Sequence, residues 1–221
     1  MAAMATSYCI FDMDGVLIDS GAHHRKAWQA LLDELGIEPA QPEYWRLTIG
    51  RPAEEAVPLL LGEPVTGAVA RRLALRKREL YAGFARRGTP AVPGIPAFVA
   101  SLTARGVPRA IGTSASRHDV DSLLRDIGIR RHFDVIVTAE DVLFGKPDPA
   151  VYLEAARRLR ADPGACLVFE DSLVGVEAAR RAGMRAIGVT TAHTEAELRG
   201  AGAESAIADF EGLEWVAITR P

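Results

Sequence analysis

Apolar positions along the chain change their rhythm twice. Residues 8–13 form a short apolar run that ends in acids and Gly15, which predicts a buried strand followed by a turn. From residue 20 to 35 the apolar side chains Ala27, Leu31 and Leu35 recur at helical spacing, with Ser20 as the expected cap and Gly36 as the stop. Helical periodicity continues to about Arg87 with no strand pattern, and the arginine-rich run 71–78 is expected to be a solvated helix face. After Pro90 and Pro93-Gly94 helix and strand alternate. Helices are predicted at 96–105, 117–127, 149–160 and 174–182, and strands at 107–113, 134–138, 166–169 and 185–189.

This alternation predicts a Rossmann-like, three-layer α/β/α core with a parallel sheet, interrupted by an all-helical insert. Residues 1–19 and 92–221 would form the core and residues 20–91 the helical cap. Hinges are expected at 19–21 and 92–94, where glycine and proline punctuate the chain.

Composition narrows the function classes. The chain has 221 residues, 48% hydrophobic and 25% charged, with a net charge of −3. That balance offers no basic footprint for nucleic acid and no polybasic membrane surface. A small molecule is the expected partner, and a monomer the expected assembly. Cys9 and Cys166 lie within strand-like runs and read as buried thiols in a reducing compartment. The first residues lack a basic region and a long apolar stretch, so no signal peptide or membrane span is predicted and a cytoplasmic location is expected.

Ligands of open parallel sheets gather at the carboxyl ends of the strands. Those ends deliver Asp12, Asp14 and Asp19, then Thr113, Ser114 and Ser116, then Glu140, Asp141 and Lys146, then Glu170, Asp171 and Ser172. If Asp12, Asp14, Glu170 and Asp171 converge, their repulsion opposes folding unless a hard cation or Lys146 relieves it. Mg2+ is the metal expected; a structural calcium cage is the competing reading, disfavoured because the acids are dispersed over the chain.

Asp12-Met13-Asp14-Gly15-Val16-Leu17-Ile18-Asp19-Ser20, Ser114, Gly145-Lys146-Pro147-Asp148-Pro149 and Glu170-Asp171-Ser172 together resemble the four ordered motifs of the haloacid dehalogenase superfamily. The branch it resembles is the β-phosphoglucomutase-like one, with its helical cap inserted after the first strand. The resemblance implies that Asp12 is a nucleophile forming an aspartyl-phosphate and Asp14 the general acid and base. Lys146 would neutralise charge, and Ser114, or its neighbour Thr113, would hold the phosphoryl group. The metal would be held by Asp12, Asp14 (through its backbone carbonyl), Glu170 and Asp171, with Asp171 the more direct of the last two. Asp14 argues against dehalogenation, which lacks this second acid. Met13-Asp14-Gly15 differs from the Lys-Thr-Gly of phosphorylating pumps, and the phosphonate hydrolases carry a small residue in place of Asp14.

The cap residues separate two activities. His24, Trp28 and Lys77 occupy places of mutase cap residues, but Ala53 stands where the mutase has its second-phosphate arginine, and Arg51 is the nearest substitute. The expectation is therefore a phosphatase of a small sugar or polyol phosphate, with a phosphosugar mutase as the alternative. A non-catalytic phosphate-ligand-binding protein would require a damaged motif, and the four motifs are intact. Trp28 is equally compatible with cap core. His118 is read as a helix-capping residue, and His132 and His193 as structural or solvated.

Overall fold

The computed structural model describes residues 7–39, 43–86 and 88–219. The expectations for Met1 to Thr6, Arg87 and the last two residues fall outside these. Six parallel strands, β1 (Tyr8–Phe11), β2 (Arg109–Gly112), β3 (Val135–Val137), β4 (Cys166–Glu170), β5 (Arg185–Val189) and β6 (Ser205–Ile207), form one sheet in the order β3-β2-β1-β4-β5-β6. The strand that leads into Asp12 is thus central, and the chain leaves it in opposite directions on its two sides. Such a reversal opens a crevice at the strand ends.

Alternation along each strand divides the core into two layers. Cys9, Phe11, Leu167 and Phe169 face α4 (Ile95–Ala104), α5 (Arg117–Asp126) and α9 (Trp215–Ile218). Ile10, Cys166 and Val168 face α6 (Ala150–Leu159), α7 (Leu173–Arg181) and α8 (Glu195–Ala201). In the first layer Phe11 stacks on Phe169 with centroids 5.3 Å apart and meets Phe133 edge-on at 5.8 Å, a geometry that favours aromatic pairs. Both cysteines are buried and unpaired.

Between β1 and α4 lie α1 (Gly21–Leu35), α2 (Ala53–Leu61) and α3 (Gly67–Ala85). They pack around a separate cluster of Trp28, Leu31, Leu32, Tyr44, Val57, Leu60 and Leu73. The two chain segments that join this unit to the sheet run side by side. Asp19 donates its amide to Pro90 O at 2.8 Å, and Val92 donates to Leu17 O at 3.2 Å. Among the described residues no helix is long and apolar enough to cross a membrane.

Three sequence expectations change. The strand β6 and helices α8 and α9 follow the last predicted strand. The basic run on α3 is only partly a solvated face, because Arg71, Arg72 and Arg76 are exposed while Lys77 is buried and Arg78 half-buried. Ser20 makes no side-chain cap to α1; its hydroxyl donates to Asp14 Oδ1 at 2.5 Å instead.

Candidate active site

Immediately after β1 the chain turns at Gly15, where φ is +75° and a Cβ would stand 2.0 Å from Asp171 Oδ2. Only glycine permits both the backbone angle and the approach of Asp171. The turn leaves Asp12 buried at the sheet end and Asp14 two residues on.

Lys146 arrives from the loop before α6 and is 1% exposed. Its ammonium donates to Asp12 Oδ1 at 2.7 Å and to Glu170 Oε1 at 2.5 Å. Glu170, at the end of β4, also accepts from Tyr152 Oη at 2.8 Å, and from the amide and hydroxyl of Ser172 at 2.8 Å each. Ser172 in turn caps α7, accepting from Gly175 N at 3.0 Å. Both Glu170 oxygens are therefore engaged by protein donors, and Glu170 anchors Lys146 against Asp12. Burial with two carboxylates around it holds Lys146 firmly protonated: desolvation opposes the charge, but Asp12 and Glu170 outweigh it.

One oxygen from each of Asp12, Glu170 and Asp171 lies within 4.8 Å of the others, all three residues being buried. A single lysine leaves this group with excess negative charge. Burial pushes Asp12 up to about 7, Lys146 opposing and Glu170 adding to the rise. Burial together with Glu170, Asp12 and Asp14 raises Asp171 well above the usual carboxylate range. Such a cluster fits a hard divalent cation, whose charge would relieve the repulsion. Asp12, Asp171 and Glu170 are the side chains that would hold it; Asp171 has an oxygen less committed to protein donors than either of Glu170's.

Asp14 turns away from that cluster. Its Oδ1 accepts from Ser20 and lies 3.1 Å from His24 Nε2. His24 Nδ1 lies 2.6 Å from Lys77 Nζ. An ammonium can only donate, so Nδ1 is the acceptor and the imidazole proton sits on Nε2, facing Asp14. Burial and the neighbouring Lys77 keep the imidazole neutral, lowering its pKa against the pull of Asp14. Burial also brings Lys77 down to about 8. Burial alone would raise Asp14, but His24, Ser20 and Lys77 outweigh it and hold the carboxyl at about 2. The ring of Tyr81 stacks on His24 with centroids 4.4 Å apart.

A cavity of about 660 Å³ lies between sheet and cap at this site. Asp12, Asp14, Thr113, Ser114, Lys146 and Asp171 reach it from the core; His24, Trp28, Arg51 and Lys77 reach it from the cap. Ser114 donates to the cap carbonyl of Gly50 at 2.9 Å, and Thr113 Oγ1 accepts from Ala115 N at 3.1 Å. Both hydroxyls thus stand at the cavity, but Ser114 spends its proton on the cap in this closed arrangement. Ser116 caps α5 and donates to Asp119. Trp28 is 3% exposed, in the cap cluster, with Lys77 Nζ 5.0 Å from its ring centroid.

Sequence reasoning missed four neighbours. Ser20, expected to cap α1, binds Asp14 instead. Thr191 donates to Gly15 O at 2.7 Å, and His193 places Nδ1 2.9 Å from Asp171 O, both bracing the loop that carries Asp171. Tyr152 braces Glu170 from α6. Their only signal was position after a strand end or on an inner helix face. His132, read as without a partner, meets Thr103 Oγ1 at 2.7 Å.

A parallel-sheet core that presents a buried lysine-bridged carboxylate group beneath a helical cap defines a class of phosphoryl-transfer enzymes. Residues 6–183 match the family model described as haloacid dehalogenase-like hydrolase, and the chain belongs to that family. It is 34% identical over 209 residues to validoxylamine A 7'-phosphate phosphatase of Streptomyces hygroscopicus subsp. limoneus, covering 93% of this chain and 95% of that one. It is 32% identical over 187 residues to β-phosphoglucomutase of Bacillus subtilis, covering 81% of each. The crystal structure of β-phosphoglucomutase from Clostridium difficile shares the fold, with a TM-score of 0.85, 23% identity, and coverage of 96% of this chain and 95% of that one. With these relatives, the chain is a phosphoric monoester hydrolase or a phosphosugar mutase.

Proposed function

We propose that the protein is a Mg2+-dependent phosphatase that hydrolyses a small sugar or polyol phosphate through an aspartyl-phosphate on Asp12. The observation that carries this reading is the pairing of Asp12 with Lys146 inside a buried acidic cluster, one turn from a second, differently partnered aspartate. Their different partners, the Lys146 ammonium for Asp12 and the His24 imidazole for Asp14, fit them for different roles, and a cation at the cluster would bring Asp12 into the ionised form that a nucleophile needs.

In the first half-reaction an Asp12 oxygen bonds to phosphorus and the bond from phosphorus to the ester oxygen breaks. Asp14 gives the leaving oxygen a proton; the phosphoryl charge close to Asp14 raises its affinity for that proton. In the second half-reaction Asp14, now a carboxylate, takes a proton from water as the water oxygen bonds to phosphorus and Asp12 leaves. His24 and Ser20 hold Asp14 in the ionised form that this second step requires. Lys146 offsets the charge of nucleophile and phosphate, and Ser114 or Thr113 supplies hydroxyl donors. When bound at Asp12, Asp171, Glu170 and the Asp14 backbone carbonyl, Mg2+ would neutralise phosphoryl oxygens.

A monomer acting on a small molecule is the assembly proposed. The phosphatase is favoured over the mutase because Arg51 is displaced from the expected place of a second-phosphate arginine. A phosphate-release screen over sugar and polyol phosphates, run beside Asp12→Asn, tests it. Glucose 6-phosphate appearing from glucose 1-phosphate and a trace of bisphosphate faster than free phosphate would establish the mutase instead.

A further inference from the structure

Four cationic side chains of the cap line the cavity, Arg25, Arg51, Lys77 and Arg78, yet their charge is not pooled. Lys77 is turned to His24. The Arg25 guanidinium lies 4.9 Å over the ring of Trp45. Arg78 lies 3.0 Å from Asp119 Oδ2 and also donates to Ser116 Oγ, which itself donates to Asp119 at 2.8 Å. Arg51 has no ion pair among the described residues, but Glu54 and Glu55 follow it in the first turn of α2 and line the same cavity.

A phosphate dianion is held by several donors converging from cations. Here the guanidinium hydrogen-bonded to Ser116, two residues past Ser114, is already neutralised by a carboxylate, and that carboxylate lines the same cavity. A hydroxyl both donates and accepts, so a wall of alternating guanidinium and carboxylate suits a polyhydroxylated body. We propose that Arg78 and Asp119 select phosphate esters carrying one phosphoryl group on a polyhydroxylated body, and that Asp119 excludes a second phosphoryl group. This rests on the phosphatase reading and says what kind of ester it serves. Specificity of this kind comes from a repulsive element as much as from an attractive one.

The test is equilibrium binding by calorimetry in an Asp12→Asn background with Mg2+, using glucose 6-phosphate and glucose 1,6-bisphosphate. The monophosphate should bind more tightly by about tenfold or more. Asp119→Asn should narrow that ratio by about tenfold, and Asp119→Glu should keep it. Arg78→Gln, which leaves Asp119 uncompensated, should widen it. Thermal melts establish that each variant is folded. Bisphosphate binding as tight as monophosphate, a ratio that Asp119→Asn leaves unmoved, or a ratio that Arg78→Gln narrows would each overturn the proposal. Turnover of the same two esters by the unmodified protein separates this from the broader reading. If no ester of the phosphate-release screen, these two included, is hydrolysed while the binding preference persists, the phosphatase reading fails and the selectivity of the wall stands.

Discussion

The core side of the cavity and its cap side solve different electrostatic problems. On the core side Lys146, Asp12, Glu170 and Asp171 are almost wholly buried, and each bond is made between segments that a parallel sheet brings together. At the seam between cap and core, Arg78 of α3 and Asp119 of α5 retain 42% and 32% side-chain exposure, and their pairing depends on how the cap sits. Charges in the dry half interact strongly and tolerate no loss of a partner; charges in the wet half are screened and adjustable. Phosphoryl chemistry therefore belongs to the topology of the sheet, whereas the proposed choice of ester would fall to Arg78 on α3 and Asp119 on α5.

The sharpest way to break this contrast is Lys146→Met. It leaves Asp12 and Glu170 buried without their cation, so it should cost about 3–5 kcal/mol of stability and lower turnover by more than about 1000-fold. Chemical denaturation and a phosphate-release assay read the two effects. A variant with native stability would show that the pair is not desolvated as described.

Metal and pH test the same half. The folded-state pKa of Asp12 is raised from 3.8 to about 7, so the folded protein binds the extra proton. In the metal-free protein that contribution is full below about pH 4 and is lost as pH rises through 7, an effect of a few kcal/mol. Mg2+ should therefore raise the melting temperature more at pH 8 than at pH 5, measured by calorimetry with and without chelator. An equal rise at both values would mean that the cation does not answer this charge.

Smaller effects are expected from the cap. Lys77→Met removes the donor that fixes the His24 tautomer, and turnover should fall about ten- to a hundredfold, with an altered pH profile. The same fall without any change in the profile would point to packing alone. Least of all should be Arg46→Ala. Arg46 spans from cap to core, donating to both Glu197 oxygens at 2.7 and 2.8 Å. A half-buried pair still open to solvent is worth about 1 kcal/mol or less, so KM should shift by no more than about fivefold. The shift should shrink at high salt.

Legibility in the sequence followed the same division. Asp12, Asp14, Lys146, Glu170 and Asp171 were readable because strand ends in a parallel sheet share one edge, so order along the chain translates into convergence. The strands β1 to β5 were readable as short apolar runs bounded by turns, because parallel strands covered on both faces are buried along nearly their whole length. Strand β6 was not: Ser205, Ala206 and Ile207 are all only half-buried, and three residues carry no periodicity. Ser20 illustrates a different failure. A serine before a helix has two uses for its hydroxyl, and only the proximity of Asp14, six residues earlier, decides between them. Thr191 and His193 lie beyond the last motif, and nothing local marks them as supports for Asp171. The Arg78–Asp119 pair joins residues 41 positions apart on two different units, a contact that no periodicity announces.

The most direct measurement is a rapid acid quench of the protein turning over a reactive phosphate ester with Mg2+, followed by mass spectrometry of its peptides. The account predicts one added phosphoryl group, removable by hydroxylamine and located on Asp12, that is absent from Asp12→Asn. A phosphoryl group on any other side chain, or steady turnover that survives in Asp12→Asn, would contradict it.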